Sequence, residues 1–510
     1  MDYYRNFLRI CRSFFTIRED VIAAFISLAA LIAWIIILFY KFTHFGYYDW
    51  DLAFFSQAMY SLTHGSQYVS LVGINFFGDH SYVIMLLLLP VFAILPHPLT
   101  LVVVKVLVYV AASALLYHAA KKSIGPSLAI FVQILYLVFP ANVFSILYEF
   151  NPESLAPLFL FLMYDYFKKE NIRAFVLVSL ATVMIKENML LVTLTFGLYA
   201  LFDRQKNKLR WGVIPILASI VLLFIFVAIV IPYFRELPSH AFVVRYRQFG
   251  STIGEIFSTM VFHPAKTFAY LCEPFNTNYL SDLFGPIAPL SLLSPHILFL
   301  ILPIILQHLL SIHLPEHSIY FHYGVVIAPF IFLSALNTLE FISRKAKPVF
   351  YRYLVVLVFS LCFAHSLSFF EALVNLTFYH KDGLTETRQS FVNEVPKDAG
   401  VIATFDFLAE LSLRKSLYSF HKVYDDYYQD PNVMKFSELY VGHPFVIPKD
   451  VSYALIDFND HWLKKELDSN AAHVVPRIQR FLKENNWVVQ KSHGGIVLYK
   501  REDGTEGKKN

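Results

Sequence analysis

Residues 21–52 of the chain read VIAAFISLAALIAWIIILFYKFTHFGYYDWDL. The first part, 21–40, is predominantly apolar and matches the ~20 residues that a helix needs to cross a bilayer. Two carboxylates, Asp49 and Asp51, follow among aromatic side chains. Acidic residues at this depth are costly unless they are hydrated, paired or used in chemistry. The stretch therefore predicts a membrane anchor followed by a loop that contains part of a functional site.

The composition extends the membrane assignment to most of the chain. Of the 510 residues, 57% are hydrophobic and only 16% are charged, whereas a soluble protein carries about 25% charged residues. The deficit lies before residue 380. The net charge of +4 is too small and too dispersed to indicate nucleic acid as a partner. The three cysteines are too scattered to predict a disulfide framework.

The N-terminal residues predict the orientation of the chain in the membrane. Arg5, Arg9, Arg12 and Arg18 precede the first span, and no small-residue cleavage site is evident. This pattern is typical of an uncleaved signal anchor with a cytoplasmic N-terminus. We expect a multi-pass protein of the plasma membrane, of a prokaryote-like type.

The apolar runs predict about 11 spans when basic loops are kept on the cytoplasmic side. The segment 81–95 contains Pro90 and, at about 15 residues, is short for a span. We expect it to lie on the outer surface as a juxtamembrane helix. The alternative, in which it crosses, places Lys121-Lys122 outside. The predicted spans are 21–40, 99–120, 127–147, 153–167, 173–185, 188–203, 211–232, 279–293, 296–312, 323–341 and 350–371.

The composition of the sequence changes near residue 384, where charged residues become frequent and short β-rich runs appear. We therefore predict an all-α membrane domain over 1–380, an extracytoplasmic α/β domain over 384–500 and a disordered tail over 501–510. The membrane domain includes two long outer loops, 41–98 and 234–278. The β-rich runs are Val401–Thr404, Tyr453–Ile456, Trp487–Lys491 and Ile496–Lys500, with Gly494-Gly495 as a hairpin signal between the last two.

Unusual polar clusters fall on the predicted outer side, whereas the predicted cytoplasmic loops carry plain Lys and Arg. Such one-sided polarity is expected of an active site at the outer membrane surface. The clusters contain Asp49, Asp51, Asp79, His80, Glu149, Glu153, Lys186, Glu187, His240, Arg245, Arg247, His313, Glu316, His317, His322 and Tyr323.

Each cluster also has a purely structural interpretation. Asp49 or Asp51 would suit the N-cap of a surface helix over 52–62. Pro152-Glu153 is a good helix start, with proline in the first turn and an acid near the positive end of the helix dipole. Lys186-Glu187 would serve equally as an interfacial ion pair.

Several short motifs follow one another along the chain. They are Asp51-Leu52-Ala53-Phe54-Phe55-Ser56-Gln57, Gly78-Asp79-His80, Pro96-His97-Pro98-Leu99-Thr100, Glu149-Phe150-Asn151-Pro152-Glu153, Lys186-Glu187 and His322-Tyr323. From about residue 48 to 500 the chain resembles a widespread archaeal and bacterial family of uncharacterised membrane proteins related to the GT-C glycosyltransferases. Ser56 and Asn151 depart from the family pattern, in which an Asp and a His are common.

The resemblance implies a GT-C-like bundle that moves a sugar from a polyprenyl-phosphate donor to an unknown extracytoplasmic acceptor. Transfer needs a general base, which a carboxylate can supply, and cations that stabilise the departing phosphate. We expect Asp51 to be the base, with Glu149 and Glu153 as further catalytic residues. The donor would contact Asp79, His80, Lys186, Glu187, Arg245, Arg247, His322 and Tyr323, with its tail among membrane lipid.

A divalent cation, Mg²⁺ or Mn²⁺, is a further candidate partner. It would supply positive charge beside the departing phosphate. The candidate ligands are Asp51, Asp79, His80 and Glu153.

Two other functions stay open: a transporter or flippase for an anionic lipid or solute, and a non-catalytic scaffold or sensor. The transferase hypothesis makes a geometric prediction. Asp51, Asp79 or His80, Glu149 or Glu153, and Lys186 should converge in one cavity beneath the C-terminal domain. Asp51 and Glu153 should then lie within roughly 15 Å of each other, close enough to share one electrostatic site.

Overall fold

The computed structural model describes residues 2–235, 244–380, 382–424 and 447–502. Most of these residues are helical, and the helices form a bundle to which a five-stranded sheet is added near the C-terminus. Most of the predicted disordered tail, from residue 503 on, and His240 lie outside the described residues.

Among the described residues, five helices are long and apolar enough to cross a membrane. The pair Pro126–Val138 and Pro140–Leu147, bent by 46°, makes a sixth candidate if it counts as one crossing. The predicted total of about 11 spans is therefore not confirmed. The five helices are Arg18–Thr43 (the apolar part of Asp2–Thr43), Pro98–Ile124, Lys208–Arg235, Gly324–Lys345 and Pro348–Ser368.

The remaining predicted spans are shorter or interrupted helices. The span predicted over 279–293 is not a single helix, because the helix is interrupted at Gly285-Pro286. Proline cannot donate the hydrogen bond that would continue a helix. The other helices of the bundle are Ala156–Lys168, Ile172–Val183, Met189–Phe202, Ile253–Phe262, Pro264–Leu271, Pro274–Phe284, Ala288–Leu292, Pro295–Leu298, Leu302–Leu309 and Phe370–Thr377.

The segment 81–95 forms a helix over Ile84–Ile94 with Pro90 inside it. Its 11 residues span about 16 Å at 1.5 Å per residue, roughly half of the ~30 Å hydrocarbon core. The exposed side chains include Leu87, Val91 and Ile94. The helix is thus too short to cross alone and exposes apolar side chains, and its place on the outer surface stays a prediction.

Two buried lysines donate hydrogen bonds to the carbonyl groups at the C-terminal end of the helix Pro140–Leu147. The last carbonyl groups of a helix have no partner within it, and cations near this end also offset the helix dipole. Lys41 Nζ donates to the carbonyl oxygen of Leu147 at 2.7 Å. Lys105, which is fully buried, places Nζ 2.7–3.3 Å from the carbonyl oxygens of Ser145, Ile146, Tyr148 and Glu149.

The loop after the first span carries a buried helix, Asp51–Thr63, and a small hairpin of β1 (Tyr68–Val69) and β2 (Ile74–Asn75). A 3₁₀ turn, Phe76–Gly78, follows. A Cβ at Gly78 would lie 2.7 Å from the Cα of Arg235, a distance that side chains do not tolerate. The glycine of the Gly-Asp-His motif is therefore required by a close backbone approach.

The C-terminal sheet has the order β4-β3-β5-β7-β6. The first three strands are parallel, and β7 and β6 form an antiparallel hairpin that turns at Gly494-Gly495, as predicted. The sheet also contains β4, which the sequence analysis did not predict. The strands are β3 Gly400–Ala403, β4 Leu417–Ser419, β5 Val451–Asp457, β6 Trp487–His493 and β7 Ile496–Arg501, and the helices are Thr385–Glu394, Phe405–Leu408, Phe420–Tyr424 and His461–Glu484.

The sheet region docks on the first loop of the membrane part. Gln57 Nε2 donates to the carbonyl oxygen of Arg414 at 3.2 Å and to Ser70 Oγ at 2.7 Å. Ser70 Oγ in turn donates to the carbonyl oxygen of Leu417 and accepts from its N–H, both at 2.9 Å. These bonds fix the C-terminal residues above the helix that begins at Asp51. The domain boundary near 384 stays a prediction.

Replacing Lys105 with methionine is expected to lower the free energy of unfolding by about 2–3 kcal/mol, because buried carbonyls lose their donor and stay unsatisfied. Methionine keeps much of the side-chain length without the charge. Thermal unfolding of the purified chain in detergent measures the change. The control is Lys122→Met at an exposed position, which should unfold like the wild type. Equal stability of Lys105→Met and the wild type would contradict the assigned role.

Candidate active site

The site begins with a helix whose N-terminus is capped by a residue from another part of the chain. Glu149 Oε1 accepts from the N–H of Asp49 at 2.8 Å, and Oε2 accepts from the N–H of Leu52 at 2.6 Å. These donors would otherwise lack partners at the helix start. The N-cap residue is Trp50, which makes no side-chain cap, so the N-cap role considered for Asp49 and Asp51 is wrong. Glu149 fills it and fixes Asp51 as the first helical residue.

His322 lies between two of the predicted catalytic carboxylates. Its Nδ1 is 3.9 Å from Asp51 Oδ2, and its Nε2 is 3.1 Å from Glu153 Oε2. The side chains of His322 and Glu153 are 5% and 3% exposed, and that of Asp51 is 14% exposed. Asp51 thus keeps some access to the outside, while Glu153 is enclosed. The predicted proximity of Asp51 and Glu153 is confirmed.

Glu153 is held by its own loop and by a buried lysine. Asn151 Oδ1 accepts from the Glu153 N–H at 3.1 Å and caps the 3₁₀ turn Pro152–Leu155. Lys186 Nζ lies 3.3 Å from Glu153 Oε2, and Asn188 Nδ2 donates to Oε1 at 3.3 Å. Burial alone would raise the pKa of Glu153, but Lys186 and His322 reverse the effect and hold the pKa well below its usual range. Lys186 and His322 therefore favour the deprotonated form of Glu153.

Glu187 ties the Gly-Asp-His motif to the turn that carries Lys186. His80 Nδ1 lies 2.6 Å from Glu187 Oε1, and the N–H and hydroxyl of Ser81 donate to Oε2 at 3.0 and 3.1 Å. Against the effect of burial, His80 lowers the pKa of Glu187 to about 2. His80 and Glu187 thus bind each other and join two loops that border the cluster.

The remaining predicted residues surround the same cluster. Arg245 forms an ion pair with Glu316, and its charge acts on Asp79 and Tyr323. The ring of Tyr323 lies 4.1 Å from that of His322. Asp79 is half-buried, whereas Arg247 is exposed.

The negative charges crowd around Asp51. Burial raises the pKa of Asp51 well above its usual range, and the neighbouring carboxylates Asp49, Glu149 and Asp79 raise it further. Burial likewise raises the pKa of Glu149 to about 8, although its two backbone hydrogen bonds act in the opposite direction. A carboxyl with a raised pKa in a cleft is a common mark of a functional residue.

The structure does not arrange the candidate metal ligands as a metal site. Across the described ranges, no three His, Cys, Asp or Glu side chains are grouped to hold an ion. His80 is bound to Glu187, and Glu153 faces the ammonium group of Lys186. The participation of Mg²⁺ or Mn²⁺ considered in the sequence analysis therefore finds no support in the positions of these side chains.

Some residues of the cluster were not singled out from the sequence. His308, hidden in an apolar run, is buried beside the cluster, and its ring lies 5.6 Å from that of Tyr323. Tyr148 donates its hydroxyl to Asp49 Oδ2 at 3.1 Å, and its ring lies 5.6 Å from that of His322. Its position directly before Glu149 was the available signal.

The fold is similar to that of ArnT from Cupriavidus metallidurans. The crystal structure of that protein bound to undecaprenyl phosphate matches with a TM-score of 0.53 at 12% sequence identity, covering 95% of this chain and 98% of that chain. Its apo structure gives a TM-score of 0.49 at 13% identity, with 94% and 98% covered. No curated protein matches the sequence significantly.

The family comparison covers most of the chain. The family described as "Predicted membrane protein (DUF2079)" matches residues 41–497. This range includes the first loop, the cluster around His322 and the C-terminal sheet. The likeness to the ArnT crystal structure shows that the two chains share a fold. The chain therefore belongs to the DUF2079 family of predicted membrane proteins and has an ArnT-like fold.

Proposed function

We propose that the protein is a membrane glycosyltransferase that moves a sugar from a polyprenyl-phosphate donor to an extracytoplasmic acceptor. The observation that carries the proposal is the line Asp51–His322–Glu153–Lys186, in which two carboxylates, an imidazole and an ammonium group are linked over distances of 3.9, 3.1 and 3.3 Å. The undecaprenyl phosphate bound to ArnT supports the donor class for a chain of this fold.

Asp51 is the general base. It takes the proton from the acceptor hydroxyl or amine while that atom forms a bond to the anomeric carbon of the donor sugar. The bond between this carbon and the phosphate oxygen breaks, and polyprenyl phosphate leaves with the electron pair. The raised pKa of Asp51 suits the task, because a base works best when its pKa approaches the working pH.

The cations stabilise the departing phosphate. Lys186 faces Glu153, and Arg245 faces Glu316, so both are held in place by buried carboxylates before the donor binds. Fixed charges that need no reorganisation during the reaction are an effective form of electrostatic catalysis. His322 positions Asp51 relative to Glu153, and Glu149 acts as a positioning residue because both of its oxygens are bonded to the helix start.

The transporter alternative predicts polar side chains at mid-membrane depth on several spans, but the predicted spans carry few. Lys105, Gln133 and His365 are among these few. Lys105 is bonded to the carbonyls of the bent pair, and Gln133 Nε2 donates to Ser27 Oγ at 2.8 Å. His365 Nε2 lies 3.3 Å from the carbonyl oxygen of Asp282. Each therefore has a structural role.

Asp51→Asn is expected to reduce transfer by roughly 10²–10⁴-fold, the usual contribution of a general base. The loss is measured as sugar transfer by the purified chain, reconstituted with polyprenyl-phosphate sugar and with membranes that contain the acceptor. Asp165→Asn, at a residue paired with Lys169 away from the cluster, is the matched control and should keep full activity. Full activity of Asp51→Asn, with normal expression, would remove Asp51 from the mechanism.

The pH dependence tests the charges around Asp51. A base must be deprotonated, so transfer is lost as the pH falls through the pKa of Asp51, and the raised pKa moves this loss upward in pH. Asp49→Asn removes a neighbouring negative charge and should shift the acid limb of kcat/KM to lower pH. Asp165→Asn should leave the limb in place. An unchanged limb, or a shift to higher pH, in Asp49→Asn argues against Asp51 as the titrating base.

A chelator tests the predicted divalent cation. The described carboxylates and histidines form no metal-holding group, and Lys186 and Arg245 already supply cations. We therefore expect transfer to survive EDTA. Loss of transfer in EDTA that is restored by Mg²⁺ or Mn²⁺ would instead establish the metal.

A further inference from the structure

A cavity of about 490 Å³ lies where the C-terminal sheet region meets the membrane part. Its size falls within the 300–1,000 Å³ typical of small-molecule sites. The membrane part contributes Tyr48, Asp49 and Tyr148 to the lining, and the C-terminal region contributes His461 and Trp462. Residues far apart in the sequence therefore build one pocket.

The side chains of this cavity combine aromatic faces with a few polar groups. The Tyr48 ring stacks on Tyr379 at 4.4 Å and meets the His461 ring edge-on at 5.2 Å, so its orientation is fixed. Asp49 is fixed as well, because Oδ1 accepts from the Trp50 N–H at 2.9 Å and Oδ2 from the Tyr148 hydroxyl. Predominantly aromatic walls with few, well-placed polar groups are typical of specific ligand sites.

The C-terminal helix His461–Glu484 presents its first two residues to the cavity. Asp460 Oδ1 accepts from the N–H of Trp462 and of Leu463 at 3.1 and 3.2 Å. This cap fixes the helix start and with it the backbone of His461 and Trp462. The C-terminal region therefore adds an imidazole and an indole at defined positions.

Tyr148 connects the cavity with the charged cluster. Its hydroxyl binds Asp49 at 3.1 Å, and its ring lies 5.6 Å from the ring of His322. Asp49 itself is two residues before Asp51. A molecule bound in the cavity would therefore lie next to the proposed base, with Tyr148 between the two compartments.

We propose that this cavity, defined by Tyr48, Asp49, Tyr148, His461 and Trp462, binds a neutral carbohydrate, the sugar portion of the acceptor. A sugar ring offers apolar C–H faces to aromatic rings and hydroxyl groups to a carboxylate and an imidazole. An anionic headgroup would be repelled by Asp49, and an alkyl chain would offer no polar partner to the His461 imidazole. The assignment as acceptor depends on the proposed transferase, whereas carbohydrate binding does not.

An apolar groove suited to hydrocarbon lies elsewhere. Its volume is about 580 Å³, and Phe25, Trp34, Leu137 and Leu373 are among its lining residues. This groove follows the membrane helices, whereas the cavity with Asp49 and His461 lies under the sheet region. The two surfaces therefore differ in the chemistry that they offer.

The test is ligand-observed NMR on the full chain in lipid nanodiscs, with methyl glucoside, methyl glucosaminide and glucose phosphate as neutral, cationic and anionic probes. We expect saturable binding of the neutral glycoside. Trp462→Ala should weaken this binding about tenfold, or about 1.4 kcal/mol. His461→Gln, at an exposed position, should weaken it without affecting folding. Trp487→Phe, in the core of the sheet region, is the matched control and should bind like the wild type.

The outcomes separate this inference from the proposed function. Absence of saturable binding of the neutral glycoside, binding of only the charged probes, or wild-type affinity in both Trp462→Ala and His461→Gln would overturn the inference. If transfer is established, Trp462→Ala should also raise the KM for the acceptor and not that for the donor. Glycoside binding by a chain that transfers no sugar would support the cavity and contradict only the transferase.

Discussion

The C-terminal end of the helix Pro140–Leu147 is the feature on which the site depends. Its carbonyl groups are buried where water is excluded, so they need donors from the protein. Lys41 and Lys105 supply these donors. The chain that leaves this end places Glu149 against the start of the helix Asp51–Thr63. The position of Asp51 therefore depends on Lys41 and Lys105, which act through Glu149 and not by direct contact.

The same principle explains why the charges collect in one place. A single buried charge is expensive in or near a membrane, and it becomes tolerable when a partner of opposite charge or a set of hydrogen bonds is provided. Lys186 with Glu153, His80 with Glu187, and Arg245 with Glu316 are such pairs. Asp51 differs because its nearest carboxylates repel it. The structure thus pairs most charges of the cluster, whereas burial and neighbouring carboxylates raise the pKa values of Asp51 and Glu149.

The sequence predicted which side chains come together better than it predicted the path of the chain. Acidic residues next to apolar runs marked Asp51 and Glu153, because isolated charges at that depth are rare unless they are used. The count of spans was less predictable, since Gly285-Pro286 and Phe139-Pro140 interrupt apolar runs without changing their hydropathy. The structural role of Lys105 was also hidden, because its partners are backbone carbonyls that no side-chain pattern reveals.

The separate roles of the acidic residues at the site could not be read from composition either. Asp49, Asp51 and Glu149 are all acidic, yet Glu149 caps a helix, Asp49 lines a cavity and Asp51 faces His322. The sequence analysis assigned no role to Gln57, a residue of the first motif. In the structure it donates a hydrogen bond to the backbone of the C-terminal region. Such differences arise from contacts between segments about 100 to 350 residues apart.

The most direct test of the account is a cryo-EM structure of the full chain with undecaprenyl phosphate added. We predict phosphate density within about 4 Å of Lys186 Nζ or of the Arg245 guanidinium, the range of an ion pair, next to Asp51 and His322. The cavity of about 400 Å³ lined by Lys122 and Lys168 is the alternative basic site. Phosphate bound only there, or no phosphate at the cluster, would contradict the proposal that this end of the bundle handles a lipid-linked sugar.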